Sequence, residues 1–340
     1  MRCGLHLHDL KGPNLTSTIL VTGGAGYIGS HMILGLIDRG DRVVVIDNLS
    51  TGVREQVCSD AELVEGDVAD TELVRDILKR RKVDAVIHFA GSVIVPESVT
   101  DPLKYYDNNT GATRNLLAAC IAEGVSRFVF SSTAAVYGMP DTTIVTEETP
   151  TAPINPYGRS KLMTEWMLRD IAAAHPFRFM ALRYFNVAGA DPAGRTGQST
   201  PRATHLIKRA CQAALGRVPA LDIFGTDFDT PDGTGVRDYI HVSDLIAAHL
   251  LALDALAGGA ESNVFNCGYG RGLSVREIIA AVERVSGNKV PAREGPRRAG
   301  DPGMLVADSS KLTRQLGWTP RHGDIDEIVK SAYAWEKHLA

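Results

Sequence analysis

Tyr157 and Lys161 combine residue types and a spacing that suit acid–base catalysis. They lie four positions apart, so on a helix their side chains share one face. The pKa of a free tyrosine is about 10, which makes the neutral phenol a poor base at neutral pH. A neighbouring ammonium group favours the phenolate and brings that pKa toward the working pH. We therefore predict a lysine-assisted tyrosine base, next to a helix whose apolar residues include Leu162, Trp166 and Leu168.

A hydroxyl group at a predicted strand end extends this pair. The apolar run Arg127–Ser132 is typical of a buried strand, and Thr133 follows it directly. The Thr133 hydroxyl could bind a substrate hydroxyl or relay its proton to Tyr157. The alternative is that Thr133 is an ordinary turn residue at the end of the strand.

A glycine-rich turn, Thr22–Gly29, organises the elements that position these side chains. It follows the β-branched run Thr18–Val21, which indicates a strand buried on both faces, and precedes helix-spaced apolar residues that end at Gly40. Strand, glycine turn and helix in this order bind the pyrophosphate of a dinucleotide. Glycine lets backbone N–H groups approach the phosphates, and the helix N-terminus favours negative charge. The predicted contacts are Gly23, Gly26, Tyr27, Ile28 and Gly29.

Asp47 indicates which dinucleotide this turn binds. It ends the second predicted strand, Arg42–Ile46, about 20 residues beyond the glycines, where a carboxylate can accept hydrogen bonds from the adenine ribose hydroxyls. A carboxylate there repels a 2′-phosphate, so NAD is the predicted cofactor rather than NADP. The third predicted strand, Leu63–Asp67, places Asp67 and Val68 beside the adenine.

Strands and helices alternate along the first half of the chain, with further strands predicted at Ala85–Gly91 and Phe179–Tyr184. This alternation predicts an α/β fold with a doubly wound parallel (Rossmann) sheet, whose ligands bind outside the carboxyl ends of the strands. Beyond about residue 190 the pattern loosens, which predicts a smaller, interleaved C-terminal substrate-binding lobe. The predicted domains are a flexible N-terminal extension (1–17), an NAD-binding Rossmann domain (18–190) and the lobe (191–340), with residues 236–267 a candidate to return to the large sheet.

Composition and charge exclude several function classes. The net charge is −4 and there is no basic run, so neither nucleic acid nor an anionic membrane is a predicted partner. No apolar stretch approaches the roughly 20 residues that a bilayer span requires. The five scattered cysteines favour free thiols in a reducing cytoplasm over a disulfide framework. The ten histidines lack ligand-like spacing, so no metal is expected, and His88, inside an apolar run, is predicted to be a core histidine.

These motifs resemble those of the extended short-chain dehydrogenase/reductase family, and within it the epimerases that act on nucleotide sugars. The most specific segment is Asp232–Val242, and the resemblance extends over about residues 18–335. The other matching segments are Thr22–Gly29, Asp47–Leu49, Glu65–Asp67, His88–Gly91, Tyr105–Asn109, Tyr157–Lys161 and Arg183–Asn186.

The resemblance implies a role for the matching residues. It makes Thr133, Tyr157 and Lys161 the catalytic group. It also implies that Arg237 and Arg298 hold the diphosphate of a UDP-sugar, which suits the planar guanidinium fork. The further implied cofactor contacts are Asn48, Phe89, Ala90, Asn109 and Tyr184, and the further substrate contacts are Asn186, His205, Leu206, Phe224, Asp301 and Leu305.

The implied activity is interconversion of UDP-galactose and UDP-glucose. The sugar is oxidised transiently at C4 and reduced on the opposite face, with a tightly bound NAD that is recycled. One alternative is a 4-epimerase of another UDP-sugar, either a UDP-N-acetylhexosamine or UDP-xylose/UDP-arabinose. A remote one is a non-catalytic NAD(H)-sensing protein on the same fold, a class that usually loses the tyrosine or the lysine. The resemblance also suggests a homodimer, with the helix around Tyr105–Cys120 as a candidate interface.

The sequence differs from the relatives that it resembles at positions that affect substrate specificity and cofactor binding. Ala134 and Ala135 stand where related dehydratases carry acidic residues, so elimination of water is disfavoured. Thr133 replaces a serine of many bacterial relatives and keeps the hydroxyl. Val93 replaces a lysine that contacts the cofactor, and Leu305 replaces a tyrosine that walls the sugar pocket. We therefore expect a weaker hold on NAD and some tolerance of N-acetylated UDP-hexoses.

Overall fold

The computed structural model describes residues 16–200, 203–298 and 301–339. Residues 1–15, most of the expected N-terminal extension, lie outside the described residues. Ser17 is already part of the fold, because its carbonyl oxygen accepts a hydrogen bond from the backbone N–H of Arg42 at 2.9 Å. No helix in the described part of the chain is long and apolar enough to cross a membrane.

Strands and helices alternate as predicted. The strands are β1 (Thr18–Thr22), β2 (Arg42–Asp47), β3 (Glu62–Glu65), β4 (Ala85–His88), β5 (Arg127–Thr133), β6 (Ile144–Val145), β7 (Arg178–Tyr184), β8 (Asn186–Ala188), β9 (Leu221–Phe224), β10 (Val236–His241), β11 (Asn263–Cys267), β12 (Gly272–Ser274), β13 (Ala292–Gly295) and β14 (Met304–Ala307). The helices are α1 (Tyr27–Arg39), α2 (Thr71–Arg81), α3 (Val95–Thr100), α4 (Pro102–Tyr105), α5 (Ala112–Ala122), α6 (Pro156–Ala174), α7 (Leu206–Ala214), α8 (Val242–Ala257), α9 (Val275–Ser286), α10 (Ser310–Leu316) and α11 (Ile325–His338).

The main sheet has seven parallel strands in the order β11-β7-β5-β4-β1-β2-β3. The strand order reverses between β1 and β4, and in such sheets this switch point is where a dinucleotide binds. Each face of the sheet carries a hydrophobic core, because Ile19 and Val21 of β1 pack on one side and Leu20 on the other. Residues of α1 and α8 cover the first face, and those of α2, α5 and α6 cover the second. The predicted doubly wound α/β fold is confirmed.

The C-terminal part of the chain is interleaved with this sheet. β11 pairs with β7 and so returns to the large sheet, as expected for Asn263–Cys267. β10, in contrast, belongs to a second sheet of five strands, with β12, β14, β6 and β8, so the expectation that Val236–Leu245 rejoins the large sheet is wrong for this strand. The buried carboxylate of Asp238 stabilises this placement, because it accepts hydrogen bonds from the N–H of Ala307 on β14 at 3.3 Å and from those of Tyr269 and Gly270, in the loop after β11, at 2.9 Å.

Helix ends follow the predicted signals. Gly40 ends α1 with a left-handed φ of 93°, and Asp70 caps α2 by accepting a hydrogen bond from the N–H of Leu73 at 3.0 Å. The long helix expected around Tyr105–Cys120 is interrupted, because a π-helical turn, Tyr106–Gly111, separates α4 from α5. Such turns occur often at functional sites, and this one contains the buried Asn109.

Candidate active site

The glycine turn fits a dinucleotide pyrophosphate. Gly23 has a φ of 69°, and a Cβ atom added there would lie 2.6 Å from the backbone nitrogen of Ala90. A Cβ atom on Gly29 would lie 2.2 Å from the carbonyl oxygen of Gly23. Only glycine therefore allows the end of β1, the end of β4 and the first turn of α1 to approach this closely. The N-terminus of α1 is left facing a backbone-lined cradle, which suits a bound pyrophosphate.

Asp47 lies at the carboxyl end of β2 and is nearly buried. Its Oδ2 accepts a hydrogen bond from the N–H of Ala25 at 2.9 Å, and its Oδ1 accepts one from the N–H of Leu49 at 2.8 Å. Each carboxylate oxygen retains a further lone pair that can accept a ribose hydroxyl. Asn48 donates from Nδ2 to Oδ2 of Asp67 at 2.8 Å, and the buried Val68 follows. These residues meet at one sheet edge, and their donors and acceptors fit the adenosine half of NAD.

The predicted catalytic residues meet between β5 and α6. Asn155 caps α6 by accepting a hydrogen bond from the N–H of Gly158 at 2.8 Å, which sets the first turn that carries Tyr157. Lys161 donates from Nζ to the carbonyl oxygen of Ser131 at 3.0 Å. Thr133 ends β5, where its hydroxyl oxygen accepts a hydrogen bond from the N–H of Ala135 at 3.1 Å, and its side chain lies near enough to Tyr157 to lower the pKa of that phenol. All three predicted catalytic side chains are buried.

Burial dominates the electrostatics of this group. It raises the pKa of the Tyr157 phenol above its usual value, and the nearby Thr133 hydroxyl offsets that rise only in part. Burial also lowers the pKa of the Lys161 ammonium to about 8. Among the protein's own groups, desolvation outweighs the favourable contacts at Tyr157.

Asn109, in the π-helical turn, connects two segments of the chain on the side of the site where the nicotinamide is expected. Its Oδ1 accepts a hydrogen bond from the N–H of Ser92 at 2.7 Å, and its Nδ2 donates to Oγ of Ser160 at 3.0 Å. The loop after Phe89 and Ala90 is thereby linked to the helix that carries Tyr157. The hydroxyl of Tyr184 is hydrogen-bonded to that of Ser131, beside the carbonyl group that holds Lys161.

His88 is a core histidine, as predicted. Its Nδ1 pairs with the hydroxyl of Thr22 at 2.7 Å and its Nε2 with the hydroxyl of Thr113 at 2.8 Å. Burial lowers its pKa to about 3, so the ring is neutral at physiological pH. No cluster of three or more His, Cys, Asp or Glu suited to a metal ion occurs within residues 16–200, 203–298 and 301–339.

The predicted substrate residues form two arginine-centred pairs. Arg237 on β10 donates from Nη2 to Oδ1 of Asp301 at 2.6 Å. The guanidinium of Arg298 stacks on the ring of Phe224, 3.7 Å from its centroid. The two pairs are connected through the backbone, because the N–H of Asp301 donates to the carbonyl oxygen of Arg298 at 3.3 Å.

The remaining predicted contacts lie on neighbouring elements. Leu305 pairs with Arg237 across β10 and β14 and packs with Ala134, next to the catalytic threonine. Asn186 is exposed at the start of β8. His205 and Leu206 stand at the start of α7, where the His205 ring lies edge-on to that of Tyr27 at 6.1 Å. The substrate lobe therefore contacts both the turn that follows Thr133 and the glycine turn.

Sequence reasoning gave no role to a group of buried polar residues behind the catalytic group, although Arg183 begins a segment that matches the family: Ser132, Tyr137, Glu165, Arg183 and Asn266. One signal was available, because Glu165 follows Lys161 by four residues and so continues the face of Tyr157 and Lys161. Its partners come from distant parts of the chain, and no local pattern identifies them.

The fold and the site define the class of the protein. A parallel sheet with a glycine turn after β1, a carboxylate after β2 and a buried Tyr–Lys pair on α6 is typical of NAD-dependent short-chain dehydrogenases/reductases. The profile of the NAD dependent epimerase/dehydratase family matches residues 19–268. The chain belongs to this family, which confirms the resemblance seen in its motifs and NAD as its cofactor.

The relatives of this chain are epimerases of nucleotide sugars. UDP-glucose 4-epimerase from Azospirillum brasilense is 60% identical over 321 residues, which cover 94% of this chain and 92% of that protein. The crystal structure of UDP-glucose 4-epimerase from Brucella ovis in complex with NAD has 45% identity and a TM-score of 0.91, covering 94% of this chain and 98% of that one. The UDP-Glc/GlcNAc 4-epimerase from Campylobacter jejuni has 49% identity and a TM-score of 0.83, covering 95% and 99%. The predicted enzyme class is confirmed.

Proposed function

We propose that this chain interconverts UDP-galactose and UDP-glucose through transient oxidation of sugar C4, a reaction of galactose metabolism. The observation that carries the proposal is the buried group of Thr133, Tyr157 and Lys161 beside the glycine turn. The strand neighbour of Arg237, Leu305, packs against the turn that follows Thr133. A UDP-sugar held by its diphosphate at Arg237 therefore has its sugar next to the catalytic group.

Each residue has a defined part in this reaction. Tyr157 takes the proton of the sugar 4-hydroxyl, either directly or through the Thr133 hydroxyl. The Lys161 ammonium stabilises the phenolate, and Arg237 and Arg298 hold the diphosphate while the oxidised sugar turns over. NAD, when bound, supplies the hydride acceptor and the hydride donor at C4. Tyr157 then returns the proton, and C4 emerges inverted. The oxidised sugar and the cofactor must both stay bound until the hydride has returned to C4, so we infer that NAD is tightly held and recycled.

A second candidate substrate is a UDP-N-acetylhexosamine, which the leucine at position 305 favours. Leucine is smaller than the tyrosine that the family resemblance leads us to expect at this wall, so we infer that the pocket admits an N-acetyl group. The Campylobacter jejuni relative is described as acting on both UDP-Glc and UDP-GlcNAc. Dehydration is disfavoured, because Ala134 and Ala135 follow the catalytic threonine and cannot donate or accept the proton that elimination requires.

We also propose a homodimer in a reducing cytoplasm. Apolar side chains are exposed on adjoining helices, with Leu103 of α4 77% exposed and Trp166 of α6 51% exposed. Within the predicted interface helix, Tyr105 and Leu116 face the core, so the dimer contact is better placed on α3, α4 and α6. The cysteines among the described residues are free thiols, as the cytoplasm favours.

One experiment tests the proposed activity. Purified protein is incubated with UDP-galactose without added NAD, and UDP-glucose is scored by NMR. Conversion would establish a self-contained redox cycle with a retained cofactor. If UDP-glucose forms only after NAD is added, the protein binds NAD weakly. If UDP-galactose is not converted with or without NAD, but UDP-N-acetylgalactosamine is, the second candidate substrate is the correct one.

A further inference from the structure

A carboxylate continues the catalytic face of α6. Tyr157, Lys161 and Glu165 recur every four residues, so their side chains lie along one side of the helix. Glu165 is completely buried. Its Oε1 accepts hydrogen bonds from Oγ of Ser132 at 2.6 Å and from Nε of Arg183 at 2.9 Å, and its Oε2 accepts one from Nη2 of Arg183 at 2.6 Å.

The two partners of Glu165 are chain neighbours of site residues. Ser132 lies between Ser131, whose carbonyl oxygen accepts a hydrogen bond from Lys161, and Thr133, the predicted catalytic threonine. Arg183 precedes Tyr184, and it pairs with Ser132 in the register of β5 and β7. One carboxylate thus links the catalytic helix to both strands at the positions next to the site.

The same network reaches the sheet of the substrate lobe. Arg183 donates from Nη1 to the hydroxyl of Tyr137 at 3.0 Å, and that hydroxyl donates to Oδ1 of Asn266 at 2.6 Å. Asn266 in turn donates from Nδ2 to the carbonyl oxygen of Val145 at 2.9 Å. Val145 belongs to β6, which pairs with β14, the strand of Leu305. Directional bonds therefore run from α6 to a wall of the predicted sugar pocket.

We propose that Glu165 and Arg183 are positioning residues, whose buried ion pair fixes Tyr157 and Lys161 relative to Thr133 and to the substrate sheet; this rests on the function proposed above. A buried ion pair is a poor source of stability, because desolvation offsets the attraction, and apolar replacements are often as stable. Its directional hydrogen bonds do fix geometry. Reactive groups must be held to about 0.5 Å, and a misplacement of about 1 Å can cost about 100-fold in rate.

The test replaces the pair without leaving a buried charge. A triple variant, Glu165→Leu with Arg183→Met and Ser132→Ala, removes both charges and the Ser132 hydroxyl that donates to Glu165. We expect it to fold and retain NAD and its KM for UDP-galactose, while kcat falls by about 100-fold. Ser132→Ala alone keeps the ion pair but loses the hydrogen bond between β5 and Glu165, so its kcat should fall by less than that of the triple variant. It is also the variant to use if the triple variant does not fold.

The matched control is a second Arg–Glu fork. Arg81 donates from Nε to both carboxylate oxygens of Glu62, at 2.9 and 3.1 Å, near the amino end of the β3 edge strand. Arg81→Met with Glu62→Leu removes the same charges and should leave kcat unchanged. Unchanged kcat in the folded triple variant, or an equal loss in the control, would overturn the positioning role.

A readout without turnover separates this inference from the proposed function. If the wild-type protein converts no UDP-sugar, the proposed function fails, and ionisation of Tyr157 is then followed by ultraviolet difference titration, with Tyr157→Phe in each background as the blank. The positioning role predicts that the Tyr157 titration shifts in the triple variant and not in the control. Coincident titrations in all backgrounds would overturn it.

Discussion

The guanidinium group of Arg237 donates a hydrogen bond to the carboxylate of Asp301 at 2.6 Å. Its other terminal nitrogen donates to the carbonyl oxygen of Val236 at 2.8 Å, so the fork is held from two sides. The Arg237 side chain is largely buried, and Asp301 is more exposed. The diphosphate that we propose to bind here would meet an oriented and partly desolvated cation, which favours short charge-assisted hydrogen bonds.

Arg237→Ala should raise the KM for UDP-galactose by about 10- to 100-fold, as expected from the loss of charge-assisted hydrogen bonds. Bound NAD should be retained, because Arg237 lies on the substrate sheet. Steady-state kinetics measure the change. Arg276→Ala is the matched control, since its ion pair with Glu294 is solvent-exposed and its loss should leave KM as it was. An unchanged KM in Arg237→Ala would remove this arginine from the diphosphate site.

Tyr157→Phe should lower kcat by about 10²- to 10⁴-fold, the range for loss of a general base. The phenol is buried near Thr133, so removal of its hydroxyl deletes the proton acceptor and leaves the ring packing in place. KM and NAD content should stay near wild type. Tyr333→Phe serves as the control, because the Tyr333 hydroxyl only accepts a hydrogen bond from Asn288 at the surface. Full activity in Tyr157→Phe would refute the base assignment.

Local patterns were sufficient for the large sheet and for much of the site. The apolar runs leading to Thr22, Asp47 and Thr133 predicted β1, β2 and β5, because a strand buried on both faces must be apolar along its length. Gly40 and Asp70 marked helix ends, since capping depends on one or two neighbouring residues.

Long-range contacts decided what the sequence did not reveal. β10 has a strand-like sequence, but it joins the small sheet, where its buried Asp238 accepts a hydrogen bond from the distant Ala307 of β14. The partners of Glu165 come from β5 and β7, so neither Ser132 nor Arg183 is recognisable as part of the site from its neighbours. The pKa of Tyr157 depends on how completely the fold excludes water, and the sequence showed only the nearby Lys161.

Leu305→Tyr should narrow the substrate range. Leu305 is only 6% exposed and packs with Ala134, Tyr137 and Leu162, so a larger ring there must enter the space beside the catalytic turn. The rate with UDP-N-acetylglucosamine should fall relative to that with UDP-glucose. Leu305→Met conserves volume and should keep both rates. A constant ratio of the two rates in Leu305→Tyr would contradict the idea that this position limits the pocket.

Val93→Lys should strengthen the hold on NAD. Val93 is 55% exposed in the loop after Phe89 and Ala90, and a lysine there can reach a bound dinucleotide with its ammonium group. One added hydrogen bond of about 0.5–1.5 kcal/mol corresponds to roughly threefold to tenfold slower release. Release is measured by trapping free NAD after dilution, with the uncharged Val93→Gln as the control. Equal release from all three proteins would mean that this loop does not contact the cofactor.

His249 makes the fold sensitive to acid. Its ring is fully buried on α8, 5.0 Å from that of Phe89, and Nδ1 is hydrogen-bonded to the carbonyl oxygen of Leu245 at 2.9 Å. Nε2 has no hydrogen-bond partner among residues 16–200, 203–298 and 301–339. Burial lowers the pKa of His249 from its usual 6.5 to about 4. Between these values the unfolded chain binds a proton that the folded chain does not, so the free energy of unfolding decreases as the pH falls.

His249→Met should remove this contribution. At neutral pH His249 is uncharged in both the folded and the unfolded chain, so the variant should be about as stable as wild type. It should be slightly more stable if anything, because the substitution removes a buried nitrogen that has no hydrogen-bond partner in the described part of the chain. At pH 5 the wild type should have lost about 2 kcal/mol of unfolding free energy through this residue, which the variant retains. Urea unfolding at the two pH values, with NAD in excess, measures the difference. Equal losses in the two proteins would mean that His249 is protonated in the folded state, because only a proton taken up after unfolding produces the predicted gap.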